Sequence, residues 1–398
     1  MTNWTTGSIA QHKQKSKEKL DDVWVTKLFN SDANKEFIEH LIFTVKFGSV
    51  VPTLLVALYL ANTLSLWTLK LSLVIFCLVF VIAPFIYKYL YALQRSLVYL
   101  NFVSWPRNPN FSDPSAYKIE GVRNLYLTTD EDVRLGVWQI LPEDLVKNDT
   151  DLTTEYFEDA LKDGRDVIIY NHGNSGHRLA EHRMELYHLL RKKYHVICWD
   201  YRGYGDSSDI EPTETGLVSD AKFVYKWVLN QTTSNIFLWG HSLGTGVSTH
   251  MLGDLSKENI KKPRGLILES PFNSFTDEIA EHPFAKLFRP LPWFHYTIID
   301  PMLQNGFVFA SDKHIIKVDC PILILHAEDD LVVPYSLGKK LYETAQDFRR
   351  STQGNVTFVG FETKFNYGHK YICRAPELPE MIDNFFITAA KESEDKKL

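Results

Sequence analysis

The pentapeptide Gly240-His241-Ser242-Leu243-Gly244 follows the apolar run Ile236-Phe237-Leu238-Trp239 and precedes a stretch of helical periodicity. A G-x-S-x-G sequence in that setting predicts a tight strand-to-helix elbow, whose glycines let the two elements approach closely while the Ser hydroxyl is held above the sheet. Ser242 would sit at a helix N-terminus, where free N–H groups and the helix dipole favour the negative charge of a tetrahedral intermediate. A Ser hydroxyl is a weak nucleophile until a base takes its proton and a carboxylate orients that base. In elbows of this kind the acid and then the histidine follow the Ser along the chain. Beyond every candidate acid there is one histidine, His369, which elimination names as the base. The strand Pro321-Ile-Leu-Ile-Leu-His326 is followed by Glu328, Asp329 and Asp330. Asp330 is the chosen acid, because Asp330-Leu331-Val332-Val333-Pro334 turns a carboxylate inward and starts the next helix; Asp329 is the runner-up, and helix capping is the plain structural role for either. Two amide donors are needed for the oxyanion. The N–H of Leu243 is one, and the N–H of Asn174, in the glycine-rich turn Asn171-His172-Gly173-Asn174-Ser175-Gly176, is the other.

These residues need a scaffold. Residues 122–140 read as two strands joined at a polar turn, and an acidic insertion follows at 142–163. Short apolar strands then recur at 167–171, 195–200, 235–240, 265–269, 321–326 and 355–360, with helical periodicity between most of them, as at 178–193 and 213–229. Alternating strands and helices predict an α/β fold with a mostly parallel central sheet covered on both faces by helices. Residues 271–316 crowd aromatic residues and prolines between two core strands, which reads as a helical lid suited to an acyl chain, or as aromatics packing that segment on the core. The loop Asp200–Ser207 reads as a brace for the active-site loops, with Arg202 as a weaker candidate for an anionic headgroup. His172 reads as a buried histidine fixing its loop, and Glu269-Ser270-Pro271-Phe272 as support for the elbow.

Residues 47–87 hold a single charge, Lys70, and a bilayer core takes about 20 apolar helical residues. The span is expected at 71–90, with 47–69 as a second span or an interfacial helix. Residues 1–46 read as a disordered polar tail rich in lysine, without the apolar core and cleavage site of a signal peptide, and 391–398 as a charged tail. The formal net charge of −6 gives no basic field for a phosphate backbone, so no nucleic-acid partner is expected. Cys77, Cys198, Cys320 and Cys373 are widely spaced and read as buried free thiols. His177 and His182 are the nearest approach to a metal motif and have the wrong spacing, so neither metal nor other cofactor is called for. Sequons at Asn3, Asn110, Asn148, Asn230 and Asn355 lean toward a lumenal or extracellular catalytic domain.

The stretches YNHGNSG, WDYRGYGDSS, WGHSLGTGV, LILESPF, LILHAEDDLVVP, YGHKY and APELP resemble the α/β-hydrolase-domain family of lysophosphatidylserine and monoacylglycerol lipases over about residues 98–388. The resemblance implies an α/β-hydrolase domain over 98–390, an integral membrane protein of the endoplasmic reticulum with a lumenal catalytic domain, a single-chain lipid ester as substrate, and Ser242, Asp330 and His369 as the triad. Two features depart from the family: the extra apolar run at 47–69, and Arg374 where acyltransferase relatives carry an acid five residues after the histidine. The second favours hydrolysis. A palmitoyl-protein thioesterase, and a noncatalytic membrane scaffold on a hydrolase fold, are the competing readings.

Overall fold

The computed structural model describes residues 50–146 and 152–395; the polar tail, the end of the charged tail and the sequons at Asn3 and Asn148 lie outside the described residues. The described chain forms two compact units: residues up to Tyr89 together with Leu287–Ile298, and Leu90–Lys286 together with Ile299–Leu398.

The first unit contains a short apolar helix α1 (Val50–Leu60) and a longer one, α2 (Leu66–Tyr87). Ser65 starts α2 by accepting the N–H of Thr68 on its side chain, at 3.1 Å. At about 1.5 Å per residue, the 22 residues of α2 reach the roughly 30 Å of a hydrocarbon core. Among the described residues α2 alone is long and apolar enough to cross a membrane. This helix begins about five residues before the expected span of 71–90 and takes Lys70 into its first turns, because the cap at Ser65 sets where it starts. Cys77 is exposed on α2, unlike the other three cysteines, which are buried as expected. A π turn at Leu78–Ile82 interrupts the helix. Such a turn frees a carbonyl, and Trp293 Nε1 donates to the carbonyl of Phe80 at 3.0 Å. Phe288 and Trp293 pack against Phe80 and Phe85. Part of the aromatic insertion thus belongs to this unit.

The second unit is built on an eight-stranded sheet in the order β1-β2-β4-β3-β5-β6-β7-β8. Its strands are β1 (Val122–Thr128), β2 (Arg134–Ile140), β3 (Val167–Asn171), β4 (His195–Trp199), β5 (Ile236–His241), β6 (Gly265–Glu269), β7 (Ile322–Ala327) and β8 (Val356–Phe361). β2 runs antiparallel to β1 and β4, and all other pairings are parallel. The helices used below are α3 (Tyr91–Tyr99), α4 (Glu181–Leu190), α5 (Glu214–Gln231), α6 (Leu243–Leu255), α7 (Tyr335–Phe348) and α8 (Leu378–Asp395).

Strand residues alternate between faces. Ile168, Tyr170, Val196, Cys198, Phe237 and Trp239 share one core cluster with Leu186 and Leu190 of α4 and with Ile382 and Phe386 of α8. Their neighbours Ile169, Ile197 and Leu238 are equally buried and point to the opposite face, which is why these strands read as unbroken apolar runs. In the insertion, Phe272, Phe275, Phe307 and Phe309 are buried, whereas Phe284 is 82% exposed. Packing thus accounts for several of the aromatics that the sequence offers as lid lining.

Candidate active site

The strand order reverses at β3, which has β4 on one side and β5 on the other. In open parallel sheets the crevice at such a switch point, outside the carboxyl ends of the strands, is where ligands bind. β3 and β5 pair with Asn171 opposite Gly240, so the loop after β3 and the elbow after β5 leave the sheet side by side.

Ser242 occupies the elbow with φ 52° and ψ −119°, a strained backbone for a non-glycine residue. The fit around it is close. A Cβ on Gly244 would lie 2.0 Å from the Asn171 carbonyl oxygen, and one on Gly240 would lie 2.5 Å from the Gly244 carbonyl oxygen. Both glycines are therefore demanded by contact. The N–H of Ser242 donates to the carbonyl of Glu269 at 3.0 Å. The N–H of Leu243, in the first turn of α6, has no acceptor within its helix. Gly173 sits against the elbow, since a Cβ there would be 3.3 Å from Ser242 Cβ.

His369 and Asp330 meet: Nδ1 lies 2.7 Å from Oδ2. The other carboxylate oxygen of Asp330 accepts the N–H groups of Val332 and Val333, both at 2.9 Å. Burial pushes the Asp330 carboxyl up, but charge and hydrogen bonding from His369 and His326 outweigh it and hold Asp330 well below the usual carboxylate range. Asp329 points elsewhere and accepts the N–H of Gly368 at 3.1 Å. The His369 loop is tied to the elbow by His241, whose Nε2 lies 2.8 Å from the His369 carbonyl oxygen. Burial, then the neighbouring His369, push His241 well below the ordinary histidine range. His241 is therefore neutral and uses Nε2–H as the donor. No hydrogen bond joins Ser242 Oγ to His369 among the described residues; catalytic hydrogen bonds are often long in the free enzyme and tighten with substrate.

The loop carrying Asn174 is held from several sides. Tyr201 OH donates to the His172 carbonyl at 3.0 Å, and Tyr204 OH, which donates to the Tyr99 carbonyl at 2.6 Å, lies 3.2 Å from the Asn174 carbonyl oxygen. The Asp200–Ser207 loop is thus the expected brace. His172 is buried, with Nδ1 2.7 Å from the Gly173 carbonyl oxygen. Arg202 is not available to a headgroup: its guanidinium donates to Asp220 at 2.6 and 2.9 Å and to Glu131 at 2.9 Å. Arg183 was not legible as functional from sequence. It is 2% exposed, and it donates to the carbonyls of His177 at 2.7 Å and Ser175 at 2.6 Å. A lone arginine in an amphipathic run gives no sign that it will cage a loop.

One group of three potential metal ligands occurs among the described residues: Glu214, His250 and His314. Glu214 is already engaged, with Oε1 2.7 Å from His250 Nδ1 and Oε2 accepting the N–H groups of Val308 and Phe309. The His250 and His314 imidazoles stack with ring centroids 3.9 Å apart. His177 Nε2 lies 3.0 Å from the Pro106 carbonyl oxygen.

Glu269 supports the elbow as expected, and it has a consequence for stability. Its Oε2 accepts Trp239 Nε1–H at 2.8 Å. Burial, with a smaller contribution from Asp330, raises its carboxyl to about 7 from the ordinary 4.5. Between those values the folded state binds more protons than the unfolded one, so this group's stabilisation is complete below pH 4.5 and is lost as pH rises through about 7. Glu269→Gln keeps an acceptor for Trp239 and removes the titration. Its melting temperature relative to wild type is expected to climb by several degrees between pH 4.5 and 8, from about 2–3 kcal/mol. A difference that stays flat with pH would show that Glu269 titrates normally.

A family model described as alpha/beta hydrolase fold matches residues 166–289. The esterase Pf2001 of Pyrococcus furiosus shares the fold, with a TM-score of 0.50 at 19% identity, covering 71% of this chain and 96% of its own. Among curated proteins, lysophosphatidylserine lipase ABHD12 of Gallus gallus is 43% identical over 324 residues, 81% of this chain and 84% of the relative. The Mus musculus lysophosphatidylserine lipase ABHD12 is 39% identical, covering 81% of each chain. Protein ABHD12B of Homo sapiens is 35% identical over 73% of this chain and 79% of its own. Similarity of that depth, over about four-fifths of this chain and most of the relatives' length, means that the chain belongs to the ABHD12 lysophosphatidylserine lipase family of α/β hydrolases.

Proposed function

We propose that the chain is a membrane-anchored serine hydrolase that cleaves the acyl ester of single-chain lipids: lysophospholipids of the lysophosphatidylserine type, monoacylglycerols, or both. The observation that carries the reading is the 2.7 Å contact between His369 and Asp330, on a loop that His241 fastens next to Ser242. His369 Nε2 takes the Ser242 proton as Oγ attacks the ester carbonyl. The oxyanion is met by the N–H groups of Leu243 and Asn174. His369 then returns the proton to the departing glycerol oxygen, leaving an acyl-enzyme that water hydrolyses by the same route. Asp330 holds the imidazole with Nε2 free to accept. α2 anchors the enzyme where such lipids partition, residues 271–316 act as the lid, and the hydrolase faces the lumen of the endoplasmic reticulum.

The test compares turnover of lysophosphatidylserine, a monoacylglycerol and a palmitoyl thioester in sealed endoplasmic-reticulum vesicles, before and after permeabilisation. Lipid esters should turn over at least tenfold faster than the thioester, and activity toward a membrane-impermeant substrate should appear only after permeabilisation. Faster thioester cleavage would replace the lipase reading with a depalmitoylase, and full activity in sealed vesicles would reverse the orientation.

A further inference from the structure

The stretch that follows α2 in the chain is apolar on both sides: α3 buries Val98 and Tyr99 and still turns leucines outward. On α3, Gln94 is fully buried while Leu93 and Leu97 are exposed, with exposed Leu90 just before the helix. The 90, 93, 97 spacing puts these leucines on one helical face. Beyond α3 the exposed apolar surface continues through Phe102 (68%), Val103 and Trp105 (78%). The burial of Gln94 has a cause, since its Oε1 accepts the side-chain N–H of Asn305 at 2.7 Å. Among the described residues these outward leucines stay exposed. A folded chain rarely leaves such a continuous apolar strip to water.

The opposite side of the same stretch grips the loop that carries Asn174. The carbonyl of Val98 accepts Asn174 Nδ2–H at 3.2 Å, and that of Val103 accepts the N–H of Gly176 at 2.8 Å. Tyr204 OH donates to the Tyr99 carbonyl at 2.6 Å with the Asn174 carbonyl 3.2 Å away. One short element therefore has an apolar outer side and an inner side bonded to the oxyanion loop.

We propose that residues 90–105 are a membrane-surface docking element, whose outer side lies in the interfacial zone of a lipid bilayer and whose inner side fixes the oxyanion loop, so that substrate enters from the leaflet. The occupant follows from chain continuity. α2 ends at Tyr87, and the three steps to Leu90 span at most about 11 Å. Leu90 therefore cannot leave the neighbourhood of the membrane that α2 crosses. A Trp and a Phe beside leucines suit the headgroup boundary, where such side chains collect. The inference rests on the membrane anchoring proposed above.

The experiment uses the full chain in phosphatidylcholine nanodiscs, with Cys77→Ala as background and spin labels introduced by Leu97→Cys, Phe102→Cys or, as a reference, Phe348→Cys on α7. Labels at 97 and 102 should collide with oxygen at least threefold more, relative to a water-soluble nickel chelate, than the label at 348. Collision ratios equal to that reference would overturn the proposal, as would dipolar broadening from a second copy of the chain on this face. In parallel, Leu93→Asp with Leu97→Asp should cut turnover of vesicle-borne lysophospholipid at least tenfold and leave hydrolysis of a soluble short-chain ester within twofold. Equal effects on both substrates would overturn docking. The hydrolase reading is probed separately: it fails if wild type does not cleave the soluble ester, whatever the labels report.

Discussion

Ser242→Ala should lower turnover of a lysophospholipid ester by about 10⁵–10⁶-fold, the scale seen when a triad nucleophile is removed from a serine protease, and should abolish covalent labelling by a fluorophosphonate. The size of the loss follows from the chemistry. Without Oγ there is no acyl-enzyme, and what remains is binding next to the Leu243 and Asn174 amides, with water in place of the nucleophile. The fold should survive, because alanine meets the φ 52° of the elbow with the same Cβ and no added bulk. A melting temperature within about 2 °C of wild type would separate loss of chemistry from loss of structure. Retained activity, or retained labelling at another serine, would remove the proposed mechanism and return the noncatalytic or alternative-site readings.

Asp330→Asn should lower kcat by about 10⁴-fold while leaving the labelled fold intact, which is the known effect of the same exchange in a protease triad. The physical reason can be followed atom by atom. The Oδ1 of Asp330 accepts two backbone N–H groups, those of Val332 and Val333. An asparagine oxygen would stay there and turn its NH₂ toward His369 Nδ1. Nδ1 would then have to accept, placing the ring proton on Nε2, where it cannot take a proton from Ser242. Asp329→Asn makes the contrast. Asp329 accepts a backbone N–H of Gly368, which an asparagine oxygen also does, so the expected loss is within about tenfold. Equal losses at 329 and 330, measured as kcat on the same ester, would show that the acid had been assigned to the wrong carboxylate.

The family, the α/β class and every strand of the sheet were legible in the sequence, for identifiable reasons. Central strands of a parallel sheet are buried on both faces, so β3 to β7 appear as short unbroken apolar runs. G-x-S-x-G is legible because its glycines are required by contacts made within a few residues and across one strand pair, as the 2.0 Å approach of a Cβ on Gly244 to Asn171 shows. The choice of His369 needed only chain order. An apolar helix long enough to cross a membrane was legible in this region, but its start was not, since hydropathy averages over a window while a single side chain, Ser65, caps the helix.

Other features depended on the fold alone. Asp329 and Asp330 are adjacent and chemically alike, and only the direction of each side chain gives one to His369 and the other to Gly368. Arg202 looked free for an anion until α5 supplied Asp220. His241 and Gln94 act on partners distant in the chain, and Arg183 folds back onto carbonyls six and eight residues before it; neither kind of pairing leaves a pattern in the residue types. The outward face of α3 is of the same kind: its leucines have the spacing of an ordinary core helix, and only burial reveals that the polar residue was taken inward. Local spacing records what the backbone will do next, through sterics and hydrogen bonds over a few residues. Which side chains meet is set by the strand order and register that bring the ends of β3, β5, β7 and β8 together, and that is a property of the whole sheet.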